Sequence, residues 1–136
     1  MRIVWSFLAG VGIAVLVGLF FLVIHPVWRD DARFEDFHKR VLAYPLPPDT
    51  RSKSASEATF GKLPDESGGT RCEYRVRLIL QTDLSQAEIS EYYRRAVVAG
   101  ADGDDTEISL RSEEAGGGAI VQFYDTSLSD WDWRCT

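Results

Sequence analysis

From Ile3 to Ile24 the chain runs IVWSFLAGVGIAVLVGLFFLVI, 22 residues without a charge. As a helix that run is roughly 33 Å long, the thickness of a bilayer's hydrocarbon core. No other stretch constrains the chain so strongly, because a 22-residue apolar helix has few places to hide in a protein of 136 residues. Trp5 and Trp28 sit near its two ends, where an indole buries its ring and keeps its N–H wet. Pro26 follows the last apolar residue and is expected to stop the helix. A cleaved leader is the rival reading. Its apolar region normally runs only about 7–15 residues and ends in a small-x-small site, whereas here His25, Pro26, Val27 and Trp28 follow. The length favours a single-pass anchor over residues 1–28, with the lipid bilayer as its first partner.

Ser6, Gly10, Ala14 and Gly18 recur every fourth position and so share one stripe of that helix. Small residues let a second helix approach closely, so the stripe is a candidate surface for self-association or for a helical protein partner. Glycine is common in membrane helices for other reasons, and the pattern alone does not decide between these.

All 21 acidic residues lie at or beyond Asp30. Of the 15 basic residues, only Arg2 and Arg29 precede it, which leaves 13 against 21 and a net charge of −8 on the water-facing part. Phosphate backbones need a basic patch to displace their counterions, so nucleic acid is not expected as a partner. The ordinary reading of such acidity is solubility.

Two signals disagree about the side on which the domain lies. Arg29, Arg33, Lys39 and Arg40 after the helix outnumber Arg2 before it, which by itself puts the carboxyl end in the cytoplasm. A two-residue amino tail and the pair Cys72 and Cys135 point the other way, since two cysteines suit one disulfide in an oxidising compartment. The cysteine argument tips the expectation to an extracytoplasmic domain.

Residues 29–44 read as an amphipathic helix, with Phe34, Phe37, Val41 and Leu42 on one face and Asp30, Asp31, Glu35, Asp36, Lys39 and Arg40 around the rest. Pro45, Pro47 and Pro48 end it, and residues 45–56 read as an extended connector. Strands are expected at 57–63 and 71–82, joined by the turn residues PDESGGT. In the second, Cys72, Tyr74, Val76, Leu78 and Leu80 share one face, and Glu73, Arg75, Arg77 and Gln81 share the other. Ser85 and Glu88 form a capping box, flanked by the staple pair Leu84 and Ile89. The helix they start is predicted to run to Val98 and stop at Gly100. Strands at 105–111 and 118–126 follow, separated by SEEAGG.

The order helix, strand, strand, helix, strand, strand predicts an α+β domain over 57–136. Its sheet is antiparallel, with helices on one face and Arg75, Arg77, Glu107 and Arg111 on the wet face. In the tail, Trp131, Trp133 and Cys135 alternate with Asp130, Asp132 and Arg134, so an extended tail points both indoles and the thiol one way. Cys72 has inward parity in its strand, which favours a Cys72–Cys135 bridge over two separate buried thiols.

Chemistry is thinly signalled. Asp102, Asp104, Asp105 and Glu107 cluster beside a glycine but miss the alternate ligand spacing of a calcium loop. His25 and His38 are the two histidines, too few for a multi-histidine zinc site. Gly116, Gly117 and Gly118 lie between strands without a following lysine, which suits a turn better than a phosphate loop. Trp131 and Trp133 form either core packing, the commoner fate of alternating aromatics, or a contact ledge for a partner or glycan. No catalytic residue, metal or cofactor is assigned. The expectation is a membrane-tethered, non-enzymatic interaction module acting on other proteins or envelope components. The alternatives are a membrane-bound carboxylate-dependent hydrolase and a small-ligand sensor domain.

Overall fold

The computed structural model describes residues 2–53, 56–64, 70–101, 106–112, 118–128 and 132–135. Two helices and five strands follow in the order α1 (Arg2–Ala43), β1 (Arg51–Ser52), β2 (Glu57–Pro64), β3 (Thr70–Gln81), α2 (Gln86–Arg94), β4 (Glu107–Ser112) and β5 (Gly118–Leu128). The fold is α+β: a long apolar helix at the amino end and a small antiparallel sheet domain with a second helix.

The sheet is built around β3 and β5, paired antiparallel from Arg71↔Leu128 to Gln81↔Gly118. β2 folds back on β3 as a hairpin, and β4 pairs with the outer edge of β5. β3 and β4 therefore run in the same direction on either side of β5, linked through α2. Alternation along β3 sorts the faces. Cys72, Tyr74, Val76, Leu78 and Leu80 are buried, and so are Ala119, Val121, Phe123, Asp125 and Ser127 opposite them. The other face carries Glu73, Arg75 and Arg77, with Glu107 in register with Tyr124 beside them. Arg77 reaches Glu57 at 3.2 Å across the β2–β3 pair on that face.

Both helices lie on the apolar face. Phe37 and Val41 of α1 are fully buried, with the Phe37 ring 6.5 Å from that of Tyr74. Each such side chain stabilises the fold by about 1.5–3 kcal/mol through burial alone. α2 starts at the Ser85–Glu88 capping box: Ser85 Oγ accepts the Glu88 N–H at 3.3 Å, and the Ser85 N–H donates to Glu88 Oε2 at 2.8 Å. Those two bonds satisfy donors that a helix start otherwise leaves open. The Leu84 side chain packs on the core and Ile89 is buried in it. Arg40 ties α1 to the segment that follows α2 by donating to the carbonyls of Ala99 and Gly100 at 2.9 and 2.7 Å.

Four expectations need correction. The apolar run and the amphipathic helix are one element, because α1 passes through Pro26 without a break. Proline removes one backbone bond from a helix, and a loss of that size is outweighed where the flanking turns are well supported. The connector is not wholly free of structure: Arg51 and Ser52 pair with Gln81 and Leu80, and the Lys53 N–H donates to the Ile79 carbonyl at 2.8 Å. β1 thus continues the sheet edge that β2 occupies. α2 ends at Arg94 rather than Val98, and the Val98 carbonyl instead accepts the Thr106 N–H at 3.0 Å. A strand-like partner for a β-branched residue has won over one more helical turn. Finally, residues 132–135 are a turn, not an extended tail: the Cys135 N–H donates to the Asp132 carbonyl at 2.9 Å. Asp132 side-chain Oδ1 also accepts the Arg134 N–H at 2.9 Å, the usual way an aspartate builds a turn.

Candidate functional site

The densest polar arrangement among the described residues lies where α1 enters the domain. Asp30, Phe34, Phe37 and Val41 follow one another at helical spacing, so Asp30 shares the stripe that faces the sheet. It is 1 % exposed and Asp132, from the carboxyl-terminal turn, is fully buried. The two carboxyl groups are close enough that each alters the other's hold on a proton. Burial, and next the neighbouring Asp132, push the Asp30 carboxyl above its ordinary value despite the opposing arginines Arg29 and Arg33. Arg33 Nη1 stands 3.5 Å from Asp30 Oδ1.

Burial also acts to raise Asp132, but hydrogen bonds from Arg134 outweigh it and hold that carboxyl below its ordinary value. Arg134 Nε lies 3.0 Å from both carboxylate oxygens of Asp132, and Nη2 lies 2.6 Å from Oδ2. The same guanidinium donates to Asp31 Oδ1 at 2.7 Å and to the Val27 carbonyl at 3.3 Å, and it stacks over the Phe60 ring at 4.5 Å. One side chain thereby joins the tail, α1 and β2. A planar fork of five donors suits that task, and a lysine does not.

Next to this cluster the Cys72 and Cys135 sulfurs are 2.13 Å apart, a disulfide between β3 and the tail. The bridge and the Arg134 clamp hold the turn from both sides. What the cluster can do chemically follows from its burial. It sets two buried carboxyls against Arg33 and Arg134, and it presents no open face to a substrate.

The remaining candidates are scattered. Gly10, Ala14 and Gly18 are exposed on α1; Ser6 lies on the same helix, its side chain outside the described residues. His25 is exposed near the end of the apolar run, and His38 Nε2 is 2.7 Å from Ser56 Oγ, more than ten residues further along α1. Asp102, Asp104, Asp105, Gly116, Gly117 and Trp131 lie outside the described residues; Glu107 is exposed on β4. Among the described residues no three His, Cys, Asp or Glu side chains come together as metal ligands. Trp133 is 67 % exposed, so it is not a core residue.

Sequence reasoning missed the Asp30–Asp132–Arg134 cluster, although a signal was there. Asp30 precedes Phe34 by four residues and Phe37 by seven, which places a carboxylate on the apolar stripe. Such a placement demands a buried partner.

Within α1 an eighteen-residue window reaches a mean hydropathy of 2.4 with none of it buried, so the helix is long and apolar enough to cross a membrane. That helix and the disulfide suggest a membrane or secreted protein. Comparison of the chain with protein-family models, with curated proteins and with solved structures finds no match.

Proposed function

We propose that the chain is a single-pass membrane protein whose acidic α+β domain is presented on the extracytoplasmic side and works by contact with a partner. One observation carries this reading. α1 is exposed at every residue from Gly10 to Val23, yet the same helix delivers Phe37 and Val41 into the core of the domain. With no linker between the two, the domain rides on the membrane helix as a rigid extension, which suits a part that must be held at a set height and angle. The disulfide supports the oxidising side of the membrane.

The carboxylate pair speaks for contact rather than hydrolysis. A hydrolase needs its two acids open to a cleft, and Asp30 and Asp132 are closed off within the junction. The exposed stripe of Gly10, Ala14 and Gly18 supplies a place where a partner helix or a second copy would pack.

Pull-down of the full chain from mild detergent tests the reading. A stoichiometric, reproducible partner supports it, and a lone monodisperse monomer counts against it. For the side of the membrane, an impermeant maleimide is applied to intact cells. Labelling that appears only after an external reductant supports the extracytoplasmic assignment, and labelling that needs lysis but no reductant reverses it.

A further inference from the structure

Between the carboxyl-terminal turn and α1 lies an apolar groove of about 510 Å³, walled by Phe21, Leu22, Val23, His25, Pro26 and Trp133. Five of its six walls belong to α1, three within the apolar run and His25 and Pro26 just past its end at Ile24. The sixth is the indole of a residue more than a hundred positions away.

Trp133 is not exposed because its chain is loose. Its neighbours on both sides are pinned: Asp132 is buried under Arg134, Arg134 grips Asp31 and Val27 of α1, and Cys135 is bridged to Cys72. The fold spends its strongest polar contacts on holding an uncovered indole against the side of the apolar helix. Trp28 stands near the same level, 61 % exposed, with its ring 6.2 Å from that of Phe20. An indole with a wet N–H edge and an apolar body is the side chain that favours the boundary between acyl chains and headgroups.

We propose that Trp133 is a second membrane contact of the domain, inserted at the bilayer interface, with a phospholipid acyl chain occupying the groove between its ring and α1. The inference rests on the membrane-spanning reading of α1 and adds to it. Depth selects the occupant: residues 21 to 26 bracket the end of the uncharged run at Ile24, so in any bilayer that α1 crosses the groove opens among the outermost segments of the lipid chains. The walls suit that neighbour, being apolar but for His25. Arg29 follows within one turn of Pro26 with its side chain 38 % exposed, at the level where headgroup phosphates lie. Two contacts, α1 and Trp133, fix the tilt of the domain where one helix alone leaves rotation about its axis open.

The test uses the full chain in phosphatidylcholine vesicles with Trp5→Phe, Trp28→Phe and Trp131→Phe, so that Trp133 is the one fluorophore of its kind. The expected result is an emission shifted to the blue of a water-exposed indole, lost when the lipid chains are brominated near the headgroup, and indifferent to aqueous iodide. Emission at the position of a hydrated indole with full iodide quenching overturns the inference. A blue-shifted emission that brominated lipid leaves untouched also overturns it, and shows that protein, such as a second copy, covers the groove. Should the triple variant not reconstitute, a benzophenone amino acid in place of Trp133 in the otherwise unaltered chain gives the same decision: a phospholipid adduct supports the inference, and an adduct to protein alone refutes it. Carbonate extraction of the same vesicles separates the two levels. Protein retained after extraction with Trp133 open to iodide defeats this inference only, whereas protein released by carbonate defeats the membrane-spanning reading beneath it.

Discussion

Arg134 Nη1 lies 2.7 Å from Asp31 Oδ1, a contact between residues 103 apart in sequence. With the fork onto Asp132 and the bond to the Val27 carbonyl, it makes Arg134 the tie between the end of the chain and the entry of α1 into the domain. The junction is therefore fixed by side chains from both ends of the sequence.

Arg134→Ala removes this tie and leaves Asp132 buried without its counter-charge. Breaking a buried pair costs about 3–5 kcal/mol. Arg134 is itself a quarter exposed, so the expected loss is smaller, about 2 kcal/mol. Arg134→Lys should recover only part of it, since an ammonium cannot fork onto Asp132 while also reaching Asp31. Urea unfolding of the detergent-solubilised protein measures both. Equal stability of all three forms would show that the clamp is ornamental.

The two buried carboxyls give stability a pH dependence of opposite signs. Asp30 is raised, so the folded state holds its proton more tightly than the unfolded chain does. Its contribution is complete below the ordinary aspartate value and is lost as pH rises through the elevated folded value. Asp132 is lowered, so its contribution is present above the ordinary value and is lost as pH falls through the depressed one. Asp30→Asn keeps a donor toward Asp132 and removes the proton that Asp30 must release. Stability of this variant should stop declining on the alkaline side of the ordinary aspartate value and exceed that of the parent at neutral pH. Unfolding midpoints of both proteins across mildly acidic to neutral pH decide it, and parallel profiles would rule the account out.

Much of the fold was legible, and what was not follows from distance along the chain. Period two along Cys72 to Leu80 and the Ser85–Glu88 box are local patterns, and β3 appears and α2 starts where those patterns put them. The fusion of the two amino-terminal segments was hidden because proline is weighed as a stop from its own chemistry. Whether a helix survives it depends on what supports the turns on either side. The junction was hidden for a stronger reason: Asp30 and the Asp132–Arg134 turn lie at opposite ends of the sequence, and nothing local to either end says that the Cys72–Cys135 bridge sets them side by side. Its one local trace, a carboxylate in phase with Phe34 and Phe37, says that a partner is needed without saying which.

Opening the disulfide should destabilise the domain and free the tail together. Cys72 and Cys135 are separated by 63 positions, and closing a loop of that length is worth about 4 kcal/mol in the chain-entropy account. Cys135→Ser, or reduction, is expected to lower the urea midpoint accordingly. Because Cys135 directly follows Arg134, the clamp should weaken too, so Cys135→Ser combined with Arg134→Ala should cost less than the two separate losses added. Strict additivity would mean that the bridge and the clamp hold the tail independently.

The small-residue stripe gives a test that the domain's own fold does not confound. A Cβ added at Gly10 or Gly18 meets nothing within 4 Å, so Gly10→Ile with Gly18→Ile adds bulk without a clash inside the chain. If a helix packs there, bulk on the stripe holds the two backbones apart, and close approach is what such packing depends on. The double variant should then lose association in a membrane dimerisation assay while its urea midpoint stays at the parent value. Association unchanged by four added branches would place any partner contact on another face of α1 or on the domain itself.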